Sequence, residues 1–293
     1  MKILLTGSNG QVGFELQKKL SVLGEIIATD REELDLTNPD AIRVFVDQTK
    51  PDIIINPAAY TAVDKAELEP DLAYLINVRA PEMFAAMARE LNIPLIHFST
   101  DYVFDGLKKE PYVETDDTNP QSVYGKTKYE GEEKVRVHHK HIILRTSWVF
   151  GSHGNNFLKT IFRLVQEKDS INIVSDQWGS PASSAMLSDV TTKIVDIIFK
   201  NKNFKDYGTY HVTTDGETNW FEYASLIANE LIKLDANIKC GPDHIRSILT
   251  SEYHTAAKRP LNSRLNCEKL KKTFVLELPH WESEVKKVLR EVI

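Results

Sequence analysis

A short apolar run followed at once by a glycine-rich turn is the feature that most limits how this chain can fold. Lys2 to Thr6 has the pattern of a strand, and the turn leads into the helical spacing of Val12, Leu16 and Leu20. Glycines permit a tight turn and the close approach of a pyrophosphate, while the helix N-terminus offers unpaired N–H groups to phosphates. The pattern predicts a dinucleotide site at Gly7, Asn9, Gly10, Gln11, Val12 and Gly13.

A second strand pattern follows at the spacing expected of a nucleotide-binding unit. Glu25 to Thr29 reads as a strand and ends at Asp30, where an acid would meet the hydroxyl groups of the adenosine ribose. An acid there favours NAD(H), whereas the neighbouring Arg31 is a cation suited to the extra phosphate of NADP(H). The residues leave both cofactors open.

Strand and helix patterns continue to alternate as far as Thr146. Asp52 to Asn56, Pro94 to Phe98 and His141 to Thr146 are short runs typical of parallel strands buried on both faces, and Leu72 to Leu91 predicts a long helix. This alternation predicts an α/β fold with a doubly wound, Rossmann-like parallel sheet whose ligands bind at the carboxyl ends of the strands. Small residues at one such end leave room for a flat cofactor beside Ala58, Ala59 and Tyr60.

The regular alternation stops after Thr146. The segments 150–156 and 176–181 are polar, rich in glycine and contain aromatic residues, as loops of a substrate-binding lobe do. A later strand pattern, from Gly208 to Val212, can rejoin the first sheet. We therefore predict a dinucleotide-binding domain at 1–150, rejoined by 183–214, and a smaller, interleaved C-terminal substrate lobe formed mainly by 151–182 and 215–293.

Composition argues against several kinds of partner. The 293 residues carry a net charge of -6 and no long basic run, which disfavours nucleic acid or an anionic membrane as the main partner. Cys240 and Cys267 are far apart and suggest neither a zinc site nor a disulfide framework. The apolar start is too short to span a membrane and lacks the features of a signal peptide. We expect a cytoplasmic protein.

Tyr124 and Lys128 are the candidate catalytic pair. Their spacing of four places both side chains on one face of a helix. A phenol has an ordinary pKa of about 10, and a nearby ammonium lowers that pKa toward the working range of a proton donor. Ser99 or Thr100 could orient a carbonyl group beside the pair. Without further context, such a pair is more often part of an ordinary helix surface.

Together with the glycine turn and Ser99-Thr100-Asp101, this pair resembles the extended short-chain dehydrogenase/reductase superfamily. Further motifs are similar to those of the dTDP-4-dehydrorhamnose reductase family and extend over nearly the whole chain. They are Asn9-Gly10-Gln11-Val12-Gly13, Ala62-Val63-Asp64-Lys65-Ala66-Glu67, Ser99-Thr100-Asp101-Tyr102-Val103-Phe104, Arg145-Thr146-Ser147-Trp148-Val149, Gly154-Asn155-Asn156-Phe157, Asp176-Gln177-Trp178-Gly179-Ser180-Pro181 and Arg259-Pro260-Leu261-Asn262-Ser263.

The resemblance implies reduction of the 4-keto group of dTDP-4-dehydro-L-rhamnose to dTDP-L-rhamnose, the last step in making this sugar donor. Tyr124 would give a proton to the developing alkoxide, Lys128 would hold the nicotinamide ribose and lower the pKa of Tyr124, and Thr100 would bind the substrate oxygen. The cofactor would be NADP(H), with NAD(H) as an alternative.

The implied sites include residues beyond this catalytic set. Asp35, Leu36 and Phe98, with Tyr124 and Lys128, complete the predicted cofactor-binding set. The predicted substrate-binding residues are Thr100, Asp101, Trp148, Asn156, Gly179, Pro181 and Arg259. Arg259 is suited to a diphosphate, because its planar guanidinium can form paired hydrogen bonds.

Two comparisons define the alternatives. Nucleotide-sugar 4,6-dehydratases carry Thr-Asp-Glu where this chain has Thr100-Asp101-Tyr102, so the base for dehydration is missing. The regulatory subunit of methionine adenosyltransferase also resembles these reductases, which leaves a non-catalytic NADP-binding protein as an alternative. A reductase of a related nucleotide keto-sugar is another.

The resemblance also raises the possibility of a metal. Some members of the family form dimers through a magnesium ion held by acids of both subunits, and Glu15 matches one such ligand. In the segment 182–189 only Asp189 is acidic, although a carboxylate is expected near Ala185. The sequence thus leaves Mg²⁺ open, as well as the choice between a monomer and a homodimer.

Overall fold

Six parallel strands form the centre of the structure, a computed structural model that describes residues 1–293. In chain order, all strands of the molecule are β1 Lys2–Leu5, β2 Glu25–Ala28, β3 Ile53–Asn56, β4 Leu95–Thr100, β5 His141–Thr146, β6 Val149–Phe150, β7 Ile171–Val174, β8 Trp178–Gly179, β9 Ala182–Ser183, β10 Gly208–His211, β11 Thr218–Asn219 and β12 Ile245–Ile248.

Most of the helices lie between these strands, and the last two follow β12. They are α1 Gln11–Leu20, α2 Pro39–Thr49, α3 Val63–Ala66, α4 Pro70–Tyr74, α5 Ala80–Glu90, α6 Val123–Arg136, α7 Phe157–Glu167, α8 Ser184–Lys200, α9 Trp220–Lys233, α10 Glu268–Phe274 and α11 Trp281–Val292. A π-helical turn at Leu75–Arg79 joins α4 to α5. Short 3₁₀ turns lie at Asp101–Val103, Pro242–His244 and Thr250–Glu252.

The strand order of the central sheet is β2-β1-β3-β4-β5-β10, and every neighbouring pair is parallel. The chain adds β2 on one side of β1 and then crosses to add β3 on the other side. In open parallel sheets, such a reversal leaves a crevice at the carboxyl ends of the two strands, and ligands bind there. The predicted doubly wound α/β fold is confirmed.

The strands are apolar on both faces because helices cover both. Ile3 and Leu5 of β1 point into a core that is shared with α1 and α8, while Leu4 points into a second core that is shared with α2, α5 and α6. All three side chains are fully buried. This burial on both faces explains why the strands read as continuous apolar runs rather than alternating ones.

A third core belongs to the irregular part of the chain. It contains residues of α7, α9 and α11 together with β7 and β12, and it includes the buried Tyr223 and Trp281. The chain also returns to the main sheet, where Gly208–His211 forms the edge strand beside β5. The proposed domain boundaries remain predictions. Among all the helices, none combines the length and the apolar character that crossing a membrane requires.

A buried ion pair attaches α6 to the sheet. Arg145 of β5 donates from Nε to Glu132 Oε1 at 2.8 Å and from Nη2 to Glu132 Oε2 at 2.6 Å. The side chains are 1% and 0% exposed, and the Arg145 guanidinium also lies 5.0 Å from the centre of the Phe104 ring. Because α6 begins at Val123, this pair fixes the helix that carries Tyr124 and Lys128.

Replacing Glu132 with Gln should destabilise the protein strongly, because the buried charge of Arg145 would lose its counter-ion. We expect a loss of about 3–5 kcal/mol in the free energy of unfolding, measured by chemical denaturation. Glu133→Gln is the matched control, since its side chain is 50% exposed on the same helix, and we expect a change within about 0.5 kcal/mol. Equal losses in the two variants would contradict the role of the buried pair.

Candidate active site

The glycine turn after β1 is shaped to receive an anion. Gly7 has φ +60° and lies against the loop after β3, where an added Cβ would be 3.0 Å from Ala58 Cα. A Cβ on Gly13 would overlap the Gly7 carbonyl oxygen. Helix α1 starts after Gly10 without a side-chain cap, so its first N–H groups are not satisfied by a capping side chain. These features fit a dinucleotide pyrophosphate.

Polar groups beyond the turn match the ribose end of such a ligand. Asp30 follows β2, and its Oδ1 accepts a hydrogen bond of 2.7 Å from the Glu32 N–H. This bond and the Glu33 carboxyl lower the pKa of Asp30. The Asn9 amide also contacts Asp30, whereas the exposed Arg31 beside it forms no ion pair. The predicted Asp35 lies nearby in sequence and accepts hydrogen bonds of 2.9 Å and 2.8 Å from Thr37.

The loop after β3 is held by an asparagine that the sequence analysis missed. The Tyr60 N–H donates to Asn77 Oδ1 at 2.8 Å, and Asn77 Nδ2 donates to the Tyr60 carbonyl at 3.2 Å and to Thr127 of α6 at 3.1 Å. Asn77 is fully buried in the π-helical turn. A polar residue inside an otherwise apolar helical stretch was the available signal.

Three predicted catalytic residues meet at the carboxyl edge of the sheet. Thr100 ends β4, and Tyr124 and Lys128 occupy the first turns of α6, whose N-terminus is capped by Ser122. Exposure is 5% for Thr100, 9% for Tyr124 and 2% for Lys128. The Thr100 hydroxyl donates to Asp101 Oδ1 at 3.0 Å. The structure thus brings a phenol, a hydroxyl and an amine into one buried corner.

Burial dominates the pKa of Tyr124 and raises it well above the ordinary value of a phenol. A hydrogen bond with Thr100 opposes the rise, while the charge of Asp101 adds to it. Lys128, which we expected to lower this pKa, is not a cause of the shift, so that expectation is not met in this structure. A phenol already holds its proton at neutral pH, and the upward shift moves Tyr124 further from ionisation; the protonated form is the one that can donate to an oxyanion.

The Lys128 ammonium contacts two residues of β4. Its Nζ donates to the Phe98 carbonyl at 2.6 Å and lies 3.4 Å from His97 Nε2. Burial lowers the pKa of Lys128 to about 8, against the opposing charge of Glu132. His97 is fully buried, and burial together with the charge of Lys128 lowers its pKa well below the ordinary value. Asn56 Nδ2 lies 3.1 Å from the other ring nitrogen.

Trp148 lies two residues beyond the carboxyl end of β5. It has φ +48°, a left-handed conformation that is unusual for a large side chain. Its ring stacks on Trp220 with centroids 3.6 Å apart, and a Cβ on Gly179 would lie 2.6 Å from the ring. Only glycine therefore fits at position 179. The carbonyl of the next predicted residue, Pro181, accepts a hydrogen bond of 2.6 Å from Thr214.

Two other predicted substrate residues have partners within the chain. Arg259 donates from Nη1 to the Tyr102 hydroxyl at 2.9 Å and from Nη2 to Asp64 Oδ2 at 2.6 Å. Asn156 lies beside the glycine turn, where its Nδ2 donates to Gln11 Oε1 at 2.9 Å. Arg259 is thus near the catalytic corner, and Asn156 is on the cofactor side.

The two acids considered for magnesium are paired with lysines of the same chain. Glu15 Oε1 lies 3.5 Å from Lys18 Nζ, and Asp189 Oδ1 lies 2.6 Å from Lys19 Nζ. The structure contains no group of three or more His, Cys, Asp or Glu side chains arranged to hold a metal ion. We therefore derive no step through a metal.

Comparisons of sequence and of structure with known proteins indicate the same family. The family model described as RmlD substrate binding domain matches residues 1–293. A protein of Escherichia coli strain K12 named dTDP-4-dehydrorhamnose reductase is 43% identical over 297 residues, which cover 100% of this chain and 98% of that protein.

Solved structures agree with the sequence comparison. A dTDP-4-dehydrorhamnose reductase of Clostridium acetobutylicum superposes with a TM-score of 0.91 at 40% identity and covers 100% of this chain and 99% of its own. A dTDP-4-dehydrorhamnose reductase of Bacillus anthracis, solved in complex with NADP, superposes with a TM-score of 0.90 at 37% identity and covers 99% of both chains.

Asp101 gives a pH-dependent prediction. Burial raises its pKa to about 6, against opposing hydrogen bonds from Ser263 and Thr100, and its Oδ2 has no partner. Because the folded chain then holds a proton that the unfolded chain has released, stability falls as the pH rises from about 4 to about 6. Asp101→Asn should therefore be more stable than the wild type at neutral pH, on the order of 2 kcal/mol, with the difference vanishing near pH 4.

Thermal and urea unfolding across this pH range measure the effect. Asp105→Asn is the control of opposite sign, because hydrogen bonds from the Leu107 N–H and Tyr112 lower the pKa of Asp105. That variant should be less stable than the wild type at neutral pH. A loss of stability in Asp101→Asn at neutral pH would contradict the prediction.

Proposed function

The chain belongs to the dTDP-4-dehydrorhamnose reductase family, and we propose that it reduces the 4-keto group of dTDP-4-dehydro-L-rhamnose with NADPH to give dTDP-L-rhamnose. The observation that carries this proposal is the buried corner of Thr100, Tyr124 and Lys128, which lies at the same edge of the sheet as the glycine turn. A proton donor next to a dinucleotide site is what carbonyl reduction requires.

Tyr124 is the proposed proton donor. The bound nicotinamide supplies a hydride to the carbonyl carbon, and the oxygen of the substrate becomes an alkoxide that must be neutralised. The phenol carries its proton at neutral pH, since its ordinary pKa is about 10 and burial raises it further. A positioned donor of this kind contributes about 10²- to 10⁴-fold to the rate. Thr100 places a hydroxyl beside it, where it can orient the substrate oxygen.

Lys128 is proposed to hold the cofactor. An ammonium has three N–H donors, and the Phe98 carbonyl and His97 are partners for two of them. The third is free to bond a hydroxyl group of the nicotinamide ribose. The lowered pKa of Lys128, about 8, makes its charge dependent on pH near neutrality.

The substrate is proposed to extend from this corner toward Trp148 and Arg259. The indole offers a flat apolar surface, and the guanidinium offers donors for a diphosphate. Asp101 supplies an unpartnered carboxyl oxygen beside Thr100, which suits a sugar hydroxyl. Gly179 and Pro181 belong to the loop proposed to line the same site. The absence of a Cβ at Gly179 leaves room for the Trp148 indole.

NADPH is the preferred cofactor in this proposal. The NADP complex of the Bacillus anthracis relative supports it, as does the unpaired Arg31 beside Asp30. We further propose that the enzyme acts in the cytoplasm, as a monomer or a homodimer. Light scattering with and without a metal chelator would distinguish the two assemblies.

Tyr124→Phe should lower kcat by about 10²- to 10⁴-fold, because the variant has no proton to donate. Its affinity for NADPH, measured by fluorescence titration, should stay near that of the wild type. Tyr129→Phe is the matched control, since it removes a hydroxyl from the same helix at a half-buried position without a hydrogen-bond partner. Wild-type turnover in Tyr124→Phe would exclude Tyr124 as the donor.

Arg31→Ala should raise the KM for NADPH by about tenfold, because a phosphate-binding cation is removed. The KM for NADH serves as the internal control and should change little. Initial rates with each cofactor measure both. An equal effect on both cofactors would argue against contact between Arg31 and the 2′-phosphate.

A further inference from the structure

The motif Ala62-Val63-Asp64-Lys65-Ala66-Glu67 has no role in the proposal above, yet its carboxylates have long-range partners. It forms the short helix α3 just after the cofactor-side loop that follows β3. Asp64 and Glu67 reach two different parts of the active site. The motif therefore connects elements that are far apart in the chain.

Asp64 binds the segment that carries Arg259. Its Oδ1 accepts the Ala257 N–H at 3.0 Å, and its Oδ2 accepts from Arg259 Nη2 at 2.6 Å. These partners are 193 and 195 residues away in sequence. A single carboxylate thus holds both the backbone and the side chain of this segment, so it sets the direction in which the guanidinium points.

The other contacts of Arg259 leave donors for a ligand. A guanidinium has five N–H donors; one bonds Asp64 and another bonds the Tyr102 hydroxyl at 2.9 Å, so three remain. The Arg259 side chain is 25% exposed, which leaves it accessible to a ligand. Tyr102 in turn packs its ring edge against Tyr124, with centroids 5.5 Å apart. Arg259 is therefore held close to the proposed proton donor with its free donors available.

Glu67 holds the other side of the same corner. Its Oε1 accepts the Val123 N–H at 2.8 Å. Val123 is the first residue of α6 and directly precedes Tyr124. The α3 segment thus fixes the position of the catalytic helix and of Arg259 relative to each other.

We propose that Asp64 is a positioning residue that orients Arg259 toward the diphosphate of a nucleotide sugar. This inference rests on the proposed function, because that function supplies the diphosphate. A planar guanidinium recognises two phosphate oxygens through paired donors, so its orientation decides whether both bonds form. Asp64 does not occupy the donors that a ligand needs, since Asp64 and Tyr102 together take two of the five N–H groups and leave three.

Binding of dTDP and of thymidine to the NADPH-loaded protein tests this role. Asp64→Asn keeps an acceptor for the Ala257 N–H and removes the charge that holds Arg259. Its affinity for dTDP should fall by about tenfold, the order expected when a hydrogen bond to a charged group is lost. Its affinity for thymidine, which has no phosphate, should remain within about twofold of that of the wild type.

A double-mutant cycle separates positioning from general damage. Adding Asp64→Asn to Arg259→Ala should cause no further loss of dTDP affinity, because Asp64 acts only through Arg259. With the keto-sugar, Asp64→Asn should raise KM by about tenfold and leave kcat within about twofold. Asp71→Asn, an exposed acid in the nearby helix α4 without a bonded partner, is the control and should bind dTDP like the wild type.

Several outcomes overturn the proposal. Unchanged or tighter binding of dTDP by Asp64→Asn, an equal loss for thymidine, or additive losses in the double variant would each do so. If Asp64→Asn does not fold, Asp64→Ser decides by the same titrations, since it also keeps an acceptor and lacks the charge. A wild type that binds dTDP but reduces no keto-sugar overturns the proposed function alone, and the titrations still decide the role of Asp64.

Discussion

Desolvation at the carboxyl edge of the parallel sheet is the constraint on which the rest of this structure depends. Burial raises the pKa values of Tyr124 and Asp101 and lowers that of Lys128. Each shift disfavours a charge, so the corner is held with a protonated phenol beside a weakly basic amine. The surrounding chain compensates with internal hydrogen bonds, above all the one that Lys128 donates to the Phe98 carbonyl, and with the Arg145–Glu132 pair that fixes α6. Burial makes this edge costly to build, and Tyr124 stays there in the protonated form that a proton donor needs.

The fold and the location of the site were predictable because they depend on local patterns. Parallel strands covered on both faces must be apolar along their length. The apolar runs ending at Asn56 and Thr146 could therefore be recognised as strands from the sequence. The turn after β1 was also predictable, because its conformation requires glycine. Gly7 takes φ +60°, and Gly13 has no room for a Cβ. The four-residue spacing of Tyr124 and Lys128 placed them on one helix face, and the family resemblance, now confirmed, gave this pair its context.

Long-range contacts and environment could not be predicted in this way. The hydrogen bond between Asp64 and Arg259 joins residues 195 positions apart, and no local sequence pattern predicts it. The long helix expected from Leu72 to Leu91 contains a π-helical turn that presents Asn77 to the loop after β3, a feature that helical periodicity does not reveal. The pKa of Tyr124 depends on how deeply the phenol is buried, so the spacing alone suggested a shift in the wrong direction for this structure. The left-handed backbone of Trp148 is likewise set by its stacking on Trp220 and by the space at Gly179.

The most direct test of the central claim follows the hydride to its destination. The purified protein is mixed with dTDP-4-dehydro-L-rhamnose and NADPH that carries deuterium at the transferable position of the nicotinamide, and the product is examined by NMR and mass spectrometry. The account predicts dTDP-L-rhamnose with deuterium at C4 of the sugar, formed in equal amount to the NADPH oxidised. Deuterium at another carbon, or no oxidation of NADPH by a protein that binds it, would contradict the account.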